Sequence, residues 1–157
     1  MNSFALFTDA SLNPKLQLGA GACLVVPADF LEQPAESIEA GAVAELVRIK
    51  RFEETSSTAL EVRTALWALE EYCSALHDAC PEQLRVYCDS QCISGLPERR
   101  AALEAQRYVS RGAGRVLKNA PLYSAFYELH DQLGFEIIKV AGHTRAAARD
   151  TVHRIFA

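Results

Sequence analysis

Four carboxylates stand where the sequence pattern predicts that a strand ends or a helix begins. Asp9 and Asp89 each follow a short apolar run, and Glu61 and Asp150 lie near the start of helical patterns. In open α/β sheets, ligands collect at the carboxyl ends of the strands. If the strands before Asp9 and Asp89 are parallel neighbours, their carboxylates therefore meet at one edge of the sheet.

A cluster of acids at such an edge predicts a bound cation. Like charges that are brought together repel one another unless a cation neutralises them. Ligand sets made only of oxygen favour Mg²⁺, with Mn²⁺ as a substitute, over zinc. Two such ions about 3.5–4 Å apart are the usual arrangement for phosphodiester hydrolysis.

Each of these acids also has an ordinary structural interpretation, and the sequence leaves it open. Asp9 suits a turn, and Glu61 suits a solvated helix face. Asp89 suits an N-cap, and Asp150 suits the first turn of a helix, where the macrodipole favours a negative charge. The metal hypothesis therefore rests on the four acids together.

The first half of the sequence predicts three strands and a long helix. Apolar runs bounded by turn residues indicate strands over residues 3–9, 18–26 and 41–51, with a turn at Asn13-Pro14 and a connection over 27–40. Three early strands with short connections suggest an antiparallel meander. Thr55-Ser56-Ser57-Thr58 supplies N-cap candidates for a helix that continues to about Asp78.

The second half predicts strands that alternate with helices. We expect a strand over 83–89, short helical pieces over 90–106, a helix over 121–133, a strand over 135–140 and a short terminal helix over 147–156. Strands and helices in this order pack as a mixed sheet with helices on its faces. The predicted fold class is therefore α/β.

The composition is that of a folded domain. Half of the 157 residues are hydrophobic, the net charge is −4, and no apolar run is long enough to cross a bilayer. We therefore expect no membrane association and no signal peptide. The five cysteines form no CxxC pair, which favours reduced, buried thiols and a cytoplasmic location.

Positive charge is concentrated in one part of this acidic chain. Residues 97–118 contain six basic and two acidic side chains, a net charge of +4. A solvated helix face and a nucleic-acid contact both explain such a segment. Trp67 lies within the long helical pattern, where core packing is expected.

Five short stretches share a common order and spacing with a known family. They are Phe7-Thr8-Asp9-Ala10-Ser11, Ala59-Leu60-Glu61, Cys88-Asp89-Ser90-Gln91, Lys118-Asn119-Ala120-Pro121-Leu122-Tyr123, and Gly142-His143 through Asp150. Any one of them is common by chance, but together they resemble the ordered signatures of type 1 ribonuclease H. The resemblance implies a single ribonuclease H-like domain over residues 1–157, with a mixed five-stranded sheet flanked by helices. It also implies Mg²⁺-dependent cleavage of the RNA strand of RNA–DNA hybrids.

The same resemblance implies roles for individual residues. Asp9 would bridge two metal ions, Glu61 and Asp89 would complete one metal site, and Asp150 would complete the other. His143 would assist proton transfer and product release, which suits a group that titrates near neutral pH. Gln91 and Asn119 match residues that contact the substrate. Where the chain departs from the family, other candidates for substrate contact are the hydroxyls of Ser57 and Thr58 and the charge of Arg145, and Ser11 beside Asp9 is a further candidate.

Two departures from the family pattern keep other functions open. The family usually has an asparagine-rich turn before the helical glutamate, whereas this chain has Ser56-Ser57-Thr58, with fewer groups to bind ribose hydroxyls. The loop from His143 to Asp150 is also shorter than in well-known members. The alternatives are a nuclease of this fold that acts on another nucleic acid and a non-catalytic nucleic-acid-binding module. A monomer is the default expectation.

Overall fold

The computed structural model describes residues 3–34, 37, 39–75, 83–110 and 114–140. The strands are β1 (Ser3–Asn13), β2 (Leu18–Pro27), β3 (Arg48–Phe52), β4 (Gln83–Cys88) and β5 (Glu136–Lys139). The helices are α1 (Ala40–Leu46), α2 (Ser57–Ala75), α3 (Gln91–Ala105) and α4 (Ala120–Leu133), and a 3₁₀ turn covers Ala28–Glu32. The predicted terminal helix over 147–156 lies outside the described residues.

The five strands form one mixed sheet. Their order is β3-β2-β1-β4-β5, with β1, β2 and β3 antiparallel and with β4 parallel to both β1 and β5. This arrangement confirms the predicted α/β fold class, with a mixed five-stranded sheet of three antiparallel strands followed by parallel ones. No helix in the described ranges is long and apolar enough to cross a membrane.

Strand β1 is the middle strand of the sheet, and both of its faces are buried. Ala5, Leu6, Phe7 and Thr8 are all buried, so burial along the strand is continuous rather than alternating. Leu6 belongs to the core between the sheet and helices α2, α3 and α4. Ala5 and Phe7 belong to a second core on the opposite face.

The second core explains one wrong strand prediction. Residues 41–51 were expected to form one strand, but α1 occupies the first part and only Arg48–Phe52 pairs with β2. Val43, Leu46 and Val47 have the i, i+3, i+4 spacing of a helix, within an alanine-rich segment that favours helix. Fully buried Val43 anchors α1 against the second sheet face. The connection over 27–40 therefore leads into α1, which packs on this face of the sheet.

Two other predicted boundaries differ from the structure. β1 does not end at Asp9 but continues to Asn13, because the hairpin with β2 extends to the pair Asn13–Leu18. The short helical pieces expected over 90–106 are one helix, α3, which contains Pro97. Pro97 is exposed, whereas Ile93 and Leu96 of the same helix are buried, and their burial offsets the missing backbone hydrogen bond.

Helix α2 lies unusually close to β2. A Cβ atom added at Gly21 would lie under 3.0 Å from Thr64 Oγ1, and one added at Gly19 would lie under 3.0 Å from Leu60 Cδ1 and Cδ2. Both glycines therefore serve as contact points where the absence of a side chain lets the helix approach the sheet. Ser56 caps the helix, because its Oγ accepts a hydrogen bond from the Ala59 backbone N–H at 3.3 Å.

We predict that Gly21→Ala destabilises the protein by about 1–3 kcal/mol, because the new methyl group must displace Thr64 in a packed interface. Urea denaturation of the wild type and the variant measures the difference in the free energy of unfolding. Gly41→Ala is the matched control. Gly41 lies in α1 with no atom within 4 Å of an added Cβ, so alanine there is expected to be neutral or stabilising. An equal loss of stability in both variants would contradict the close-approach interpretation.

Candidate active site

The parallel pairing of β1 and β4 brings Asp9 and Asp89 to the same edge of the sheet. The pairing extends from Ser3–Gln83 to Phe7–Tyr87, and the last pair is fixed by stacking of the two rings at 4.9 Å. Asp9 lies two residues beyond this pair, and Asp89 directly follows the end of β4. The expectation that the two strands are parallel neighbours is confirmed, although Asp9 lies within β1 rather than at its end.

Glu61 reaches the same edge from α2. Its side chain is half-buried, one residue after Leu60, which packs on Gly19. Burial, and to a smaller extent the negative charges of Asp89 and Asp9, raise the pKa of the Glu61 carboxyl to about 7. The three carboxylates therefore lie close enough to interact electrostatically.

The donor chemistry fits a hard cation, but the described side chains are not preassembled around one. Within the described ranges, no group of three or more His, Cys, Asp or Glu side chains has the geometry to hold a metal ion. Asp9, Glu61 and Asp89 supply only oxygen atoms, and their mutual repulsion is the kind that a divalent cation relieves. The predicted ligand Asp150 and the predicted proton-transfer residue His143 lie outside the described residues.

The predicted substrate-binding residues lie on several different elements. Ser57 and Thr58 precede Glu61 by four and three residues on α2, so they neighbour it on the helix surface. Gln91 is the exposed first residue of α3, two residues after Asp89. Asn119 is the N-cap residue of α4 and makes no side-chain capping hydrogen bond. Arg145 lies outside the described residues.

The surface beside Asp9 is shallow. Ser11 and Asp9 line a depression of about 160 Å³ whose other walls include Ala20, Ala22 and Ile49. Pockets that enclose drug-sized ligands are usually about 300–1,000 Å³. The depression is thus better suited to the surface of a polymer than to an enclosed small molecule.

Part of the basic segment over 97–118 has a structural role. Arg100 makes two hydrogen bonds to the carboxylate of Asp131, at 2.6 and 2.8 Å, and a third to Glu104. Its guanidinium also lies over the Tyr127 ring. Arg100 therefore joins α3 to α4, which favours the structural interpretation for this residue, while Arg99, Arg107, Arg115 and Lys118 are exposed.

Other sequence predictions concern the core. Cys23 and Cys88 are buried and free, and Cys92 is free and half-buried, in agreement with reduced thiols. Burial raises the pKa of the Cys88 thiol to about 12, so it is protonated at neutral pH even though it directly precedes Asp89. Trp67 packs against the first core, as predicted. Lys50 and Arg63 carry no sequence signal of a site, because their arrangement depends on the pairing of β3 with β2.

No protein-family model matches this sequence, and no curated protein matches it. Solved structures do match, and one of them is the foamy viral protease-reverse transcriptase in complex with dsDNA. The match has a TM-score of 0.62 and 9% sequence identity, and it covers 98% of this chain and 90% of that chain. At this identity the likeness shows a shared fold.

We predict that Glu61 titrates near neutral pH in the metal-free protein, and that Asp89→Asn lowers its pKa because one repelling charge is lost. Carboxyl NMR chemical shifts followed from pH 4 to 9 measure both values. Because the folded-state pKa is raised, the folded state binds more protons than the unfolded state between about pH 4.5 and 7. The free energy of unfolding therefore falls as the pH rises through this interval.

Glu61→Gln should remove this loss of stability. The variant is expected to be more stable than the wild type at pH 8 by about 1–2 kcal/mol, a value reduced for solvent screening of a half-buried group. The two proteins should converge at pH 4, where Glu61 is protonated. A normal Glu61 pKa, or an equal stability difference at both pH values, would contradict the placement of the three acids.

Proposed function

We propose that this chain is a metal-dependent nuclease that hydrolyses the RNA strand of RNA–DNA hybrids. The observation that carries the proposal is the parallel β1–β4 pairing, which brings Asp9 and Asp89 to one sheet edge beside Glu61. Carboxyl ends of parallel strands are the usual location of ligand sites in such sheets. The ordered motifs described above add the expected positions of His143 and Asp150.

The matched viral protein supports a nucleic-acid partner. It shares the fold over nearly the whole of this chain, and its structure was solved with double-stranded DNA. The shallow depression beside Asp9 and Ser11 also suits a polymer. A fold serves many functions, so the assignment to hybrid hydrolysis rests on the acidic residues and on the motifs.

In this proposal two Mg²⁺ ions, or Mn²⁺ in their place, would supply an activated water and stabilise the leaving oxygen. Asp9 would be a ligand common to both ions, with Glu61 and Asp89 on one side and Asp150 on the other. His143 would take up or release a proton during turnover. The remaining substrate contacts would come from the residues already named: Ser11, Ser57, Thr58, Gln91, Asn119 and Arg145.

Two alternative functions have specific support. The hydroxyl side chains of Ser57 and Thr58 stand in place of amides near Glu61, which favours a different nucleic-acid substrate. The shortened sequence from His143 to Asp150 and the net charge of −4 favour a module that binds nucleic acid without cutting it. We also propose a cytoplasmic location, because the described cysteines 23, 88 and 92 are free thiols.

Asp9→Asn is expected to reduce cleavage of an end-labelled RNA–DNA hybrid in Mg²⁺ by at least about 100-fold, because the shared metal ligand is lost. Gel analysis of both labelled strands measures the rate and shows which strand is cut. Asp29→Asn is the control, since Asp29 is an exposed carboxylate in the 3₁₀ turn, and its activity should equal that of the wild type. Full activity of Asp9→Asn would overturn the proposal.

The substrate is tested by offering hybrid, double-stranded RNA and single-stranded DNA to the wild type. Cleavage restricted to the RNA strand of the hybrid is the expected result. Cleavage of another substrate that still depends on Asp9 would support the alternative nuclease. Binding without cleavage in either Mg²⁺ or Mn²⁺ would support the non-catalytic module.

A further inference from the structure

Two cations lie against one aromatic ring beside the edge strand of the sheet. The Lys50 ammonium is 5.5 Å and the Arg63 guanidinium carbon is 4.9 Å from the centre of the Phe52 ring. Both residues, together with Arg51, line a surface cavity of about 620 Å³. We refer to Lys50 and Arg63 as the β3 cation cluster.

Contacts with the backbone hold both the Phe52 ring and the Arg63 guanidinium in place. Lys50 pairs with Gly21 and Phe52 pairs with Gly19, so both side chains project from the sheet face that carries α2. The Phe52 ring is buried and lies under 3.5 Å from the position of a Cβ added at Gly21. Arg63 Nη1 donates a hydrogen bond to the Glu53 carbonyl oxygen at 2.9 Å, which orients the guanidinium. The cations are therefore positioned before any ligand binds.

Neither cation of the cluster has an acidic partner within the described part of the chain. Ion pairs there involve Arg48 with Glu71, Arg85 with Glu136, and Arg100 with two acids, but none involves Lys50, Arg51 or Arg63. Glu53 and Glu54 line the same cavity without pairing with these cations. Two cations held against one ring repel each other, and an anion between them would relieve that repulsion.

The cluster lies two strands from the backbone of the candidate active site. Lys50 pairs with Gly21, and Gly21 pairs with Ala10, the residue after Asp9. Two strand spacings are about 10 Å. Because successive residues of a strand point to opposite faces, Lys50 projects from the sheet face that carries α2 and Asp9 projects from the other face. The cluster therefore lies at the β3 edge of the sheet, outside the depression beside Asp9.

We propose that the β3 cation cluster binds a backbone phosphate of the nucleic acid, separate from the phosphate at Asp9. The inference rests on the proposed function and adds a location for substrate contact on β3 and α2. Arginine binds phosphate oxygens through paired N–H donors, and lysine adds a point charge. Such a contact positions the strand and carries no sequence information.

The test is the salt dependence of binding, measured by fluorescence anisotropy with a labelled RNA–DNA hybrid in EDTA, where cleavage is suppressed. For Lys50→Gln/Arg63→Gln the slope of log K against log salt should fall by about one to two, and binding should weaken by roughly tenfold. The control is Arg48→Gln/Arg85→Gln, which removes the same charge from residues already paired with Glu71 and Glu136. Its slope should equal that of the wild type.

A second variant keeps the charge. Lys50→Arg/Arg63→Lys should retain the wild-type slope, which separates loss of charge from loss of folding if the glutamine variant is unstable. A hybrid with one uncharged methylphosphonate linkage, moved along each strand in turn, locates the contact. One position should weaken wild-type binding and leave the Lys50→Gln/Arg63→Gln variant unaffected.

The possible results separate this inference from the proposed function. An unchanged slope for Lys50→Gln/Arg63→Gln, or an equal fall in the control, overturns the inference, while Asp9-dependent cleavage would still support the nuclease. A reduced slope without cleavage supports the phosphate contact within a binding module. Failure of the wild type to bind any nucleic acid overturns both.

Discussion

Helix α2 lies against β2 at a distance that leaves no room for side chains at Gly19 and Gly21, and much of the structure depends on this contact. It brings Glu61 toward Asp9 on one side of the helix axis and Arg63 toward Phe52 on the other. Helix α2 therefore contributes a residue to both proposed contact regions, and its position is set by the contact with β2. A shift of α2 away from the sheet would move them together.

The acidic edge carries an electrostatic cost that the rest of the fold must offset. Glu61 is half-buried and faces two further carboxylates, so its ionised form is disfavoured at neutral pH in the metal-free protein. The hydrophobic core beneath this edge is extensive, with Leu6, Phe7, Leu60 and Val62 almost fully buried. Clusters of like charge beside a well-packed core, with strongly shifted pKa values, are characteristic of functional sites.

The sequence predicted the parts of the fold that have one clear pattern. Strands β1, β2 and β4 and helices α2 and α4 were expected at nearly their observed positions, because apolar runs and capping residues mark them. Residues 41–47 were misassigned because Val43, Val47 and Ile49 fit an alternating pattern, while Val43, Leu46 and Val47 fit a helical one, and the buried contact of Val43 decides between them. The single helix through Pro97 was also missed, since tertiary burial there outweighs a local helix-breaking signal.

The same limit applies to the candidate sites. The approach of Asp9 to Asp89 follows from strand order and was predicted, whereas the cation cluster requires the register of β3 on β2 and the position of α2. Lys50 and Arg63 are ordinary surface residues in the sequence. They become neighbours only through long-range pairing.

Strand β3 is an edge of the sheet, and its composition has a consequence for association between molecules. It is five residues long, and Arg48, Lys50 and Arg51 are exposed on it. An unpaired edge can add a strand from another chain, and short strands with positive charge discourage this. If two copies met edge to edge through β3, like charges would face one another across the new ladder. The residues on this strand therefore also protect the protein against self-association through its open sheet edge.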